Sequence, residues 1–175
     1  MTDAAKASGT GLIVTGRPAM PTDYGVPEHD EGLLEWSWAV ERLATARNYW
    51  FHTTRPDGRP HAMPAWGAWV DGVLYFDGSP ETRRGRNLAA NSNIVVNLES
   101  GDEVVILEGE AVYQGTPSQE IAEQLAAALA AKYGPKYAPT ADTWDRGGLW
   151  RVRATVAFGW TEFPGNVTRW RFDQS

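Results

Sequence analysis

The chain has no cysteine in 175 residues. That excludes disulfides, thiolate zinc sites, iron–sulfur ligation and thiol nucleophiles. It suits a reducing cytoplasm, which is the expected location. No apolar run approaches the roughly 20 residues of a membrane-spanning helix. The opening residues carry Lys6 and no apolar stretch, so no signal peptide is expected. Without a secretory route, the Asn166-Val167-Thr168 sequon reads as chance. Positive charge is not in excess: the net charge is −6 and the pI about 5.1. Duplex nucleic acid, which is bound mainly by neutralising phosphates, is not an expected partner. The sequence has no G-x-x-x-x-G-K-[ST], no G-x-G-x-x-G and no G-x-S-x-G, which removes P-loop, Rossmann and nucleophile-elbow readings.

What is present describes one globular domain. Hydrophobic residues make up 42% and charged residues 22%, a balance that rules out wholesale disorder. A chain of this size buries about 70% of its unfolded surface. Nine tryptophans are many for this length, and tryptophan favours interfaces and ring-stacking pockets. Residues 1–30 mix Gly, Pro, Thr and charge without a period and read as an arm, either disordered or wrapped on a partner subunit. Residues 31–175 read as the domain. Glu31–Arg47 places Leu33, Leu34, Trp36, Val40, Leu43 and Ala44 on one helical stripe.

The period then changes to two. Strands are expected at Tyr49–Thr54, His61–Val70, Val73–Asp77, Asn93–Glu99, Glu103–Tyr113, Leu149–Trp160 and Thr168–Phe172. Asp57-Gly58 and Asp71-Gly72 are two-residue hairpin signals. Arg83–Ala90 reads as a short helix. Thr116-Pro117-Ser118-Gln119 resembles a capping box with proline at the first helical position, opening a helix to Tyr133 with Gly134 as its C-cap. Lys136–Gly148 is a loop. Short strands joined by tight turns point to a mainly β, α+β barrel.

Five features have chemical potential. Ser79–Leu88 follows a strand and opens a helix, where free N–H groups and the dipole favour an anion, and Arg83 and Arg84 add forked donors. The bland alternative is a solvated helix start paired with Glu81 or Glu99. The strand around Met63-Pro64-Ala65-Trp66 contains a proline that cannot donate to a ladder, so it reads as an edge or a bulge. A two-residue Asp57-Gly58 turn would put Thr54 opposite His61 and His52 opposite Met63, with both histidines on one face. Two imidazoles without a third ligand make a poor metal site, so no metal is expected. Glu103, Glu108 and Glu110 share a strand without forming a catalytic pair. In Thr168–Phe172, Trp170 and Phe172 face opposite to Arg169 and Arg171, as in an edge strand with an apolar inner face or a wall beside an anionic cofactor.

The order R-P-D-G-R-P-H, V-D-G, T-R-R-G-R-N-L and V-V-N-L-E-S resembles the split β-barrel flavin and deazaflavin oxidoreductases, the superfamily of pyridoxamine 5′-phosphate oxidase. The likeness runs from Glu31 to Phe172. It is greatest to the actinobacterial branch that uses coenzyme F420, a deazaflavin with a phosphate and an oligoglutamate tail. The resemblance implies a homodimer holding each cofactor between two subunits. It implies phosphate contacts from Arg83 and Arg84, and ring contacts from Met63, Pro64, Ala65, Trp66, Phe76, Asp77 and Gly78. The implied activity is hydride transfer from reduced F420 to an electron-poor double bond of a small substrate. The alternatives are an FMN-binding flavoprotein and a non-catalytic protein that binds F420 or haem. The chain ends without the Arg-Leu motif of true pyridoxamine-phosphate oxidases, so vitamin B6 oxidation is not expected. No protein acid is singled out.

Overall fold

A twelve-residue strand organises the molecule. In the computed structural model, which describes residues 12–173, β8 (Leu149–Trp160) pairs along its length with β7 (Val104–Gly115). Its other side is shared by two partners. The first half, Leu149–Val152, pairs with β5 (Val73–Asp77), and the second half, Val156–Gly159, with β9 (Thr168–Phe172). From β7 the sheet continues through β6 (Asn93–Asn97) and β2 (Tyr49–Thr54) to β3 (Pro60–Ala65). From β5 it continues to β4 (Ala68–Val70). All these pairings are antiparallel. β3 and β4 are thus two terminal strands of a curled sheet, and only Trp66-Gly67 lies between them in the chain. This is a split barrel with one open seam, and its corner is Trp66-Gly67.

Alternation explains the core. Tyr49, Phe51, Ile94, Val96 and Leu107 are buried while their sequence neighbours are more exposed. Helices α1 (Trp36–Thr45) and α2 (Arg83–Ala90) accompany this first core, and α2 lies against β2. A second core lies under α3 (Gln119–Tyr133), which packs Leu125, Leu129 and Tyr133 against Ala68, Val70 and Tyr75. No helix among the described residues is long and apolar enough to cross a membrane.

Several sequence expectations are corrected. The first helix begins at Trp36, not Glu31, and Ala44 is exposed while Ala39 and Leu43 are buried. The expected His61–Val70 strand breaks at Trp66-Gly67, because β4 leaves β2's side and pairs with β5. The two Asp-Gly pairs behave differently. Asp71-Gly72 is a two-residue hairpin, with φ +48° and +78° at its centre and Val70 opposite Val73. At Asp57-Gly58 only the glycine has positive φ, and the loop spans Arg55 to Arg59, closed by Arg55 N–H to Arg59 O at 2.9 Å. The register therefore moves by one: Thr53 faces His61 and His52 faces Ala62. His52 and His61 lie on opposite faces. The α3 cap is Ser118, whose hydroxyl accepts from Ile121 N–H at 3.4 Å, while Thr116 donates to Asp145 O. Pro117 lies before that cap.

β9 is not an edge, because β1 (Ile13–Gly16) pairs along it. β1 belongs to the arm. Arg17 ties it down by donating to the carbonyls of His29, Glu31, Gly165 and Val167. Residues 1–11 of the arm lie outside the described residues.

Candidate functional site

β5 delivers the chain into the turn Gly78-Ser79-Pro80 and then α2. The Ser79 hydroxyl accepts from Glu81 N–H at 3.1 Å, and the Thr82 hydroxyl caps the helix by accepting from Gly85 N–H at 3.0 Å. Gly85 is required here, since a Cβ would stand 2.5 Å from the Pro80 carbonyl oxygen. The two arginines of this helix start differ. Arg83 is exposed. Arg84 is only 6% exposed, donates to the Asp77 carbonyl at 2.7 Å, and lies over Phe76 at 4.7 Å and Phe51 at 5.1 Å. Its Nη1 is buried without a hydrogen-bond partner, and so is Nε of Arg55 on the β2–β3 loop.

The charges of Arg55, Arg83 and Arg84 act on His61 at the start of β3. Burial lowers the His61 pKa first, and these charges lower it further. His61 Nδ1 lies 3.4 Å from the Thr53 hydroxyl, which accepts from Asn87 Nδ2 at 2.9 Å. Asn87 is completely buried in α2. A chain from α2 through β2 thus orients the imidazole.

β3 pairs with β2 alone among the described residues, so it is an edge strand as the proline suggests. His61, Met63 and Ala65 are half-buried on the face shared with Thr53, Phe51 and Tyr49. Ala62, Pro64 and Trp66 face outward. At the corner, Trp66 is 37% exposed and stacks on Tyr133, 4.7 Å away with 19° between planes. The Tyr137 ring lies 5.7 Å from that of Trp66, tilted by 41°.

The loop after α3 is anchored on β5. The Asp77 carboxylate accepts from the Tyr137 hydroxyl and from Trp144 Nε1, both at 2.6 Å. Burial raises the Tyr137 pKa well above the usual phenol range, and the Asp77 contact raises it further. Asp77, Gly78, Tyr113, Tyr137 and Arg146 line a cleft of about 460 Å³. Beneath the corner, Lys132 donates to the Tyr49 hydroxyl at 2.8 Å and to the Gly67 carbonyl at 3.3 Å.

The structure therefore gathers Met63, Ala65 and Arg84 on one face of the β2–β3 pair, with Arg83 at the rim. Pro64 and Trp66 occupy the outer side of the same edge. Phe76 is only 2% exposed and stacks against Trp150, so its ring belongs to the core. The Asp77 carboxylate is engaged within the chain, and Gly78 is bound at both backbone groups, to Gly148 O and to Trp150 Nε1. From these last three, only backbone or rim contact is open. Sequence reasoning missed Arg55, Lys132, Tyr133, Tyr137 and Trp144. The i, i+4 spacing of Tyr133 and Tyr137 and a tryptophan inside a loop were the available signals.

Four guanidinium donors are buried without partners among the described residues, on Arg42, Arg55, Arg84 and Arg151; of these Arg84 Nη1 lies at a helix start next to the exposed Arg83, a setting that suits a phosphate-bearing group. A comparison with curated proteins found no match. Among solved structures, Rv2991, a conserved hypothetical protein of Mycobacterium tuberculosis, superposes with a TM-score of 0.64 at 20% identity, over 77% of this chain and 89% of its own. A heme binding protein from Mycobacterium smegmatis gives 0.57 at 18%, over 80% of this chain and 57% of its own. An F420 reductase gives 0.49 at 27%, over 75% and 98%. The first two likenesses establish the fold. The sequence itself matches the pyridoxamine 5′-phosphate oxidase family across residues 39–161, and the chain belongs to that family of split-barrel, flavin-binding proteins.

Proposed function

We propose that this chain binds coenzyme F420 and is a reductase of small, electron-poor substrates in the cytoplasm. The observation that carries the reading is two buried donors without partners, Arg55 Nε and Arg84 Nη1, on side chains whose charges act, with that of Arg83, on His61 of the edge strand β3. A buried donor without a partner costs about 1–3 kcal/mol, and an anion would remove that cost. The choice of F420 over FMN rests on the overall resemblance to the F420-using branch alone, since both cofactors bring a phosphate and a planar ring. When bound, reduced F420 supplies a hydride from its ring, and the protein supplies position.

Each group then has a task. Arg83, with Arg55 and Arg84 Nη1, holds the phosphate. Met63, Pro64, Ala65 and Trp66 form the wall for the ring, and the free backbone of β3 meets its polar rim. Phe76, Asp77 and Gly78 support that wall from below, through backbone contact at most. The outer sheet face, with Trp50 at 36% exposure and half-buried Val95, Ile106 and Phe158, carries no helix among the described residues and is the proposed homodimer surface. A partner there would complete the groove beside β3.

Fluorescence titration with F420 and, separately, FMN tests the reading. Micromolar or tighter binding of F420, about −8 kcal/mol or better, supports it. Preference for FMN makes the chain a flavoprotein, and binding of neither removes the assignment, with haem the next ligand to try. An independent check uses inorganic phosphate and the NMR titration of His61. Phosphate among these cations raises the His61 pKa, and an unmoved His61 excludes the phosphate site.

A further inference from the structure

Lys132 is the one lysine among the described residues that is held inside the fold by aromatic rings. It lies 5.0 Å over the Tyr49 ring and 5.9 Å from that of Tyr133. It forms no ion pair: every salt bridge among the described residues belongs to an arginine. Burial alone lowers its pKa from 10.5 to about 8. The groups around it are Tyr49 from β2, Tyr133 of its own helix, the backbone of Gly67, and Arg47 between α1 and β2, whose guanidinium stands 5.7 Å over Tyr133. None is acidic. A half-buried ammonium without an anion opposes stability. Its position has to be explained by what it holds.

Proton counting shows what that is. Gly67 is where the chain leaves β3 for β4, so its backbone groups have no ladder partner. Its N–H donates to the Tyr133 hydroxyl at 3.0 Å. Tyr133 has a single proton and two carbonyls within reach, Arg47 O at 2.8 Å and Gly67 O at 3.0 Å. When that proton goes to Arg47, the Gly67 carbonyl depends on Lys132. Tyr49 spends its own proton on Leu43 O and accepts from Lys132. The ammonium is therefore the donor that joins the barrel corner to α3 and β2. Directly before that corner stands Trp66, stacked on Tyr133.

We propose that Lys132 is a positioning residue: by holding the Gly67 carbonyl at the barrel corner, it fixes how Met63–Trp66 is presented to a bound planar ring. The inference rests on the reading of β3 as the ring wall. Its structural half, the orientation of Trp66, stands without any cofactor and can be measured separately.

The test compares wild type, Lys132→Met and Lys132→Arg. Trp66 is followed in the cofactor-free protein by near-ultraviolet circular dichroism, with Trp66→Phe for subtraction. Binding of F420 and FMN is titrated in parallel, and thermal unfolding is recorded at pH 7. Lys132→Met is expected to change the Trp66 signal and weaken cofactor binding about tenfold, without a lower melting temperature. Lys132→Arg restores part of the binding. The wild-type Trp66 signal titrates near pH 8, and that of Lys132→Met does not. An unchanged Trp66 signal in Lys132→Met overturns the proposal, and so does a lower melting temperature with unchanged binding. If the wild type binds neither cofactor, the functional reading falls and the Trp66 titration alone decides the role of Lys132. Should Lys132→Met fail to fold, the wild-type titration and the Lys132→Arg variant decide it.

Discussion

Two cations flank the inner face of β2, one brought by each neighbouring helix. Arg84, from the start of α2, lies over Phe51. Lys132, from the end of α3, lies over Tyr49. Arg84 is buried and Lys132 half-buried, and neither forms a salt bridge among the described residues. Their chemistry differs. A guanidinium is planar and weakly hydrated, so it stacks on rings at modest cost and leaves a donor available for an anion. An ammonium is a compact, strongly hydrated charge, so the same kind of setting moves its titration toward neutrality. The fold uses the first as an anchor with one free donor, and the second as a strut between carbonyl and hydroxyl. One end of the β2–β3 edge is thereby suited to a phosphate, and the other to holding an aromatic corner.

Removing the anchor is the strongest way to break this comparison. Arg84→Met deletes the bond to the Asp77 carbonyl and the packing of the guanidinium plane on two rings. We expect a loss of about 2–3 kcal/mol, read as a lower denaturant midpoint. Cofactor affinity falls with it. A double replacement of Arg83 and Arg84 therefore mixes folding with binding, and Arg83 alone is the cleaner probe.

Asp77 links the two ends, since α2's anchor bonds its carbonyl and the loop after α3 bonds its carboxylate. Asp77→Asn exchanges one acceptor oxygen for a donor facing Tyr137 or Trp144. The expected cost is about 1–2 kcal/mol. It should be concentrated in the loop, with faster hydrogen exchange around Tyr137–Gly148 and little change in α2. Uniform acceleration across the molecule would show that the loop is not a separate unit.

Lys132→Met has the opposite sign. A group whose pKa is depressed by folding contributes stability above its unfolded value and loses it as pH falls through the folded one. For Lys132 the window runs from 10.5 down to about 8. Wild type should therefore gain on Lys132→Met between pH 8 and 10.5, and show no advantage at pH 7. The Tyr49 and Tyr137 hydroxyls, raised by burial, act against stability above pH 10 in both proteins, so the difference between them is the quantity to measure.

The same two ends show what the sequence could disclose. The helix-start end was legible as local structure because its signals are local: strand, turn, cap and basic pair occupy one continuous stretch. That stretch did not reveal which arginine turns inward. Arg84 is buried because α2 lies on β2 at the level of Phe51, a tertiary fact. The aromatic end was illegible, because Trp66 is far in the chain from Lys132, Tyr137 and Trp144, and the two parts meet only once α3 closes over β4. The Asp-Gly pairs make the same point on a smaller scale. Asp71 can adopt positive φ between two valines that pair directly, whereas Asp57 lies between Pro56 and Pro60-led pairing, where a longer loop replaces the tight turn.

The smallest change in stability separates the two ends most clearly. Arg83 is exposed and forms no salt bridge among the described residues, so Arg83→Ala should alter stability by no more than about 0.5 kcal/mol. Its charge nevertheless acts on His61. Removing it should raise the His61 pKa, weaken cofactor binding and reduce the salt dependence of that binding, since an exposed cation acts through a screened field. Lys132→Met, by contrast, should leave the salt dependence unchanged, because Lys132 acts on the corner and not on the phosphate. If the two variants lose affinity with the same salt dependence, the two cations serve one site by one mechanism, and the division into anchor and strut fails.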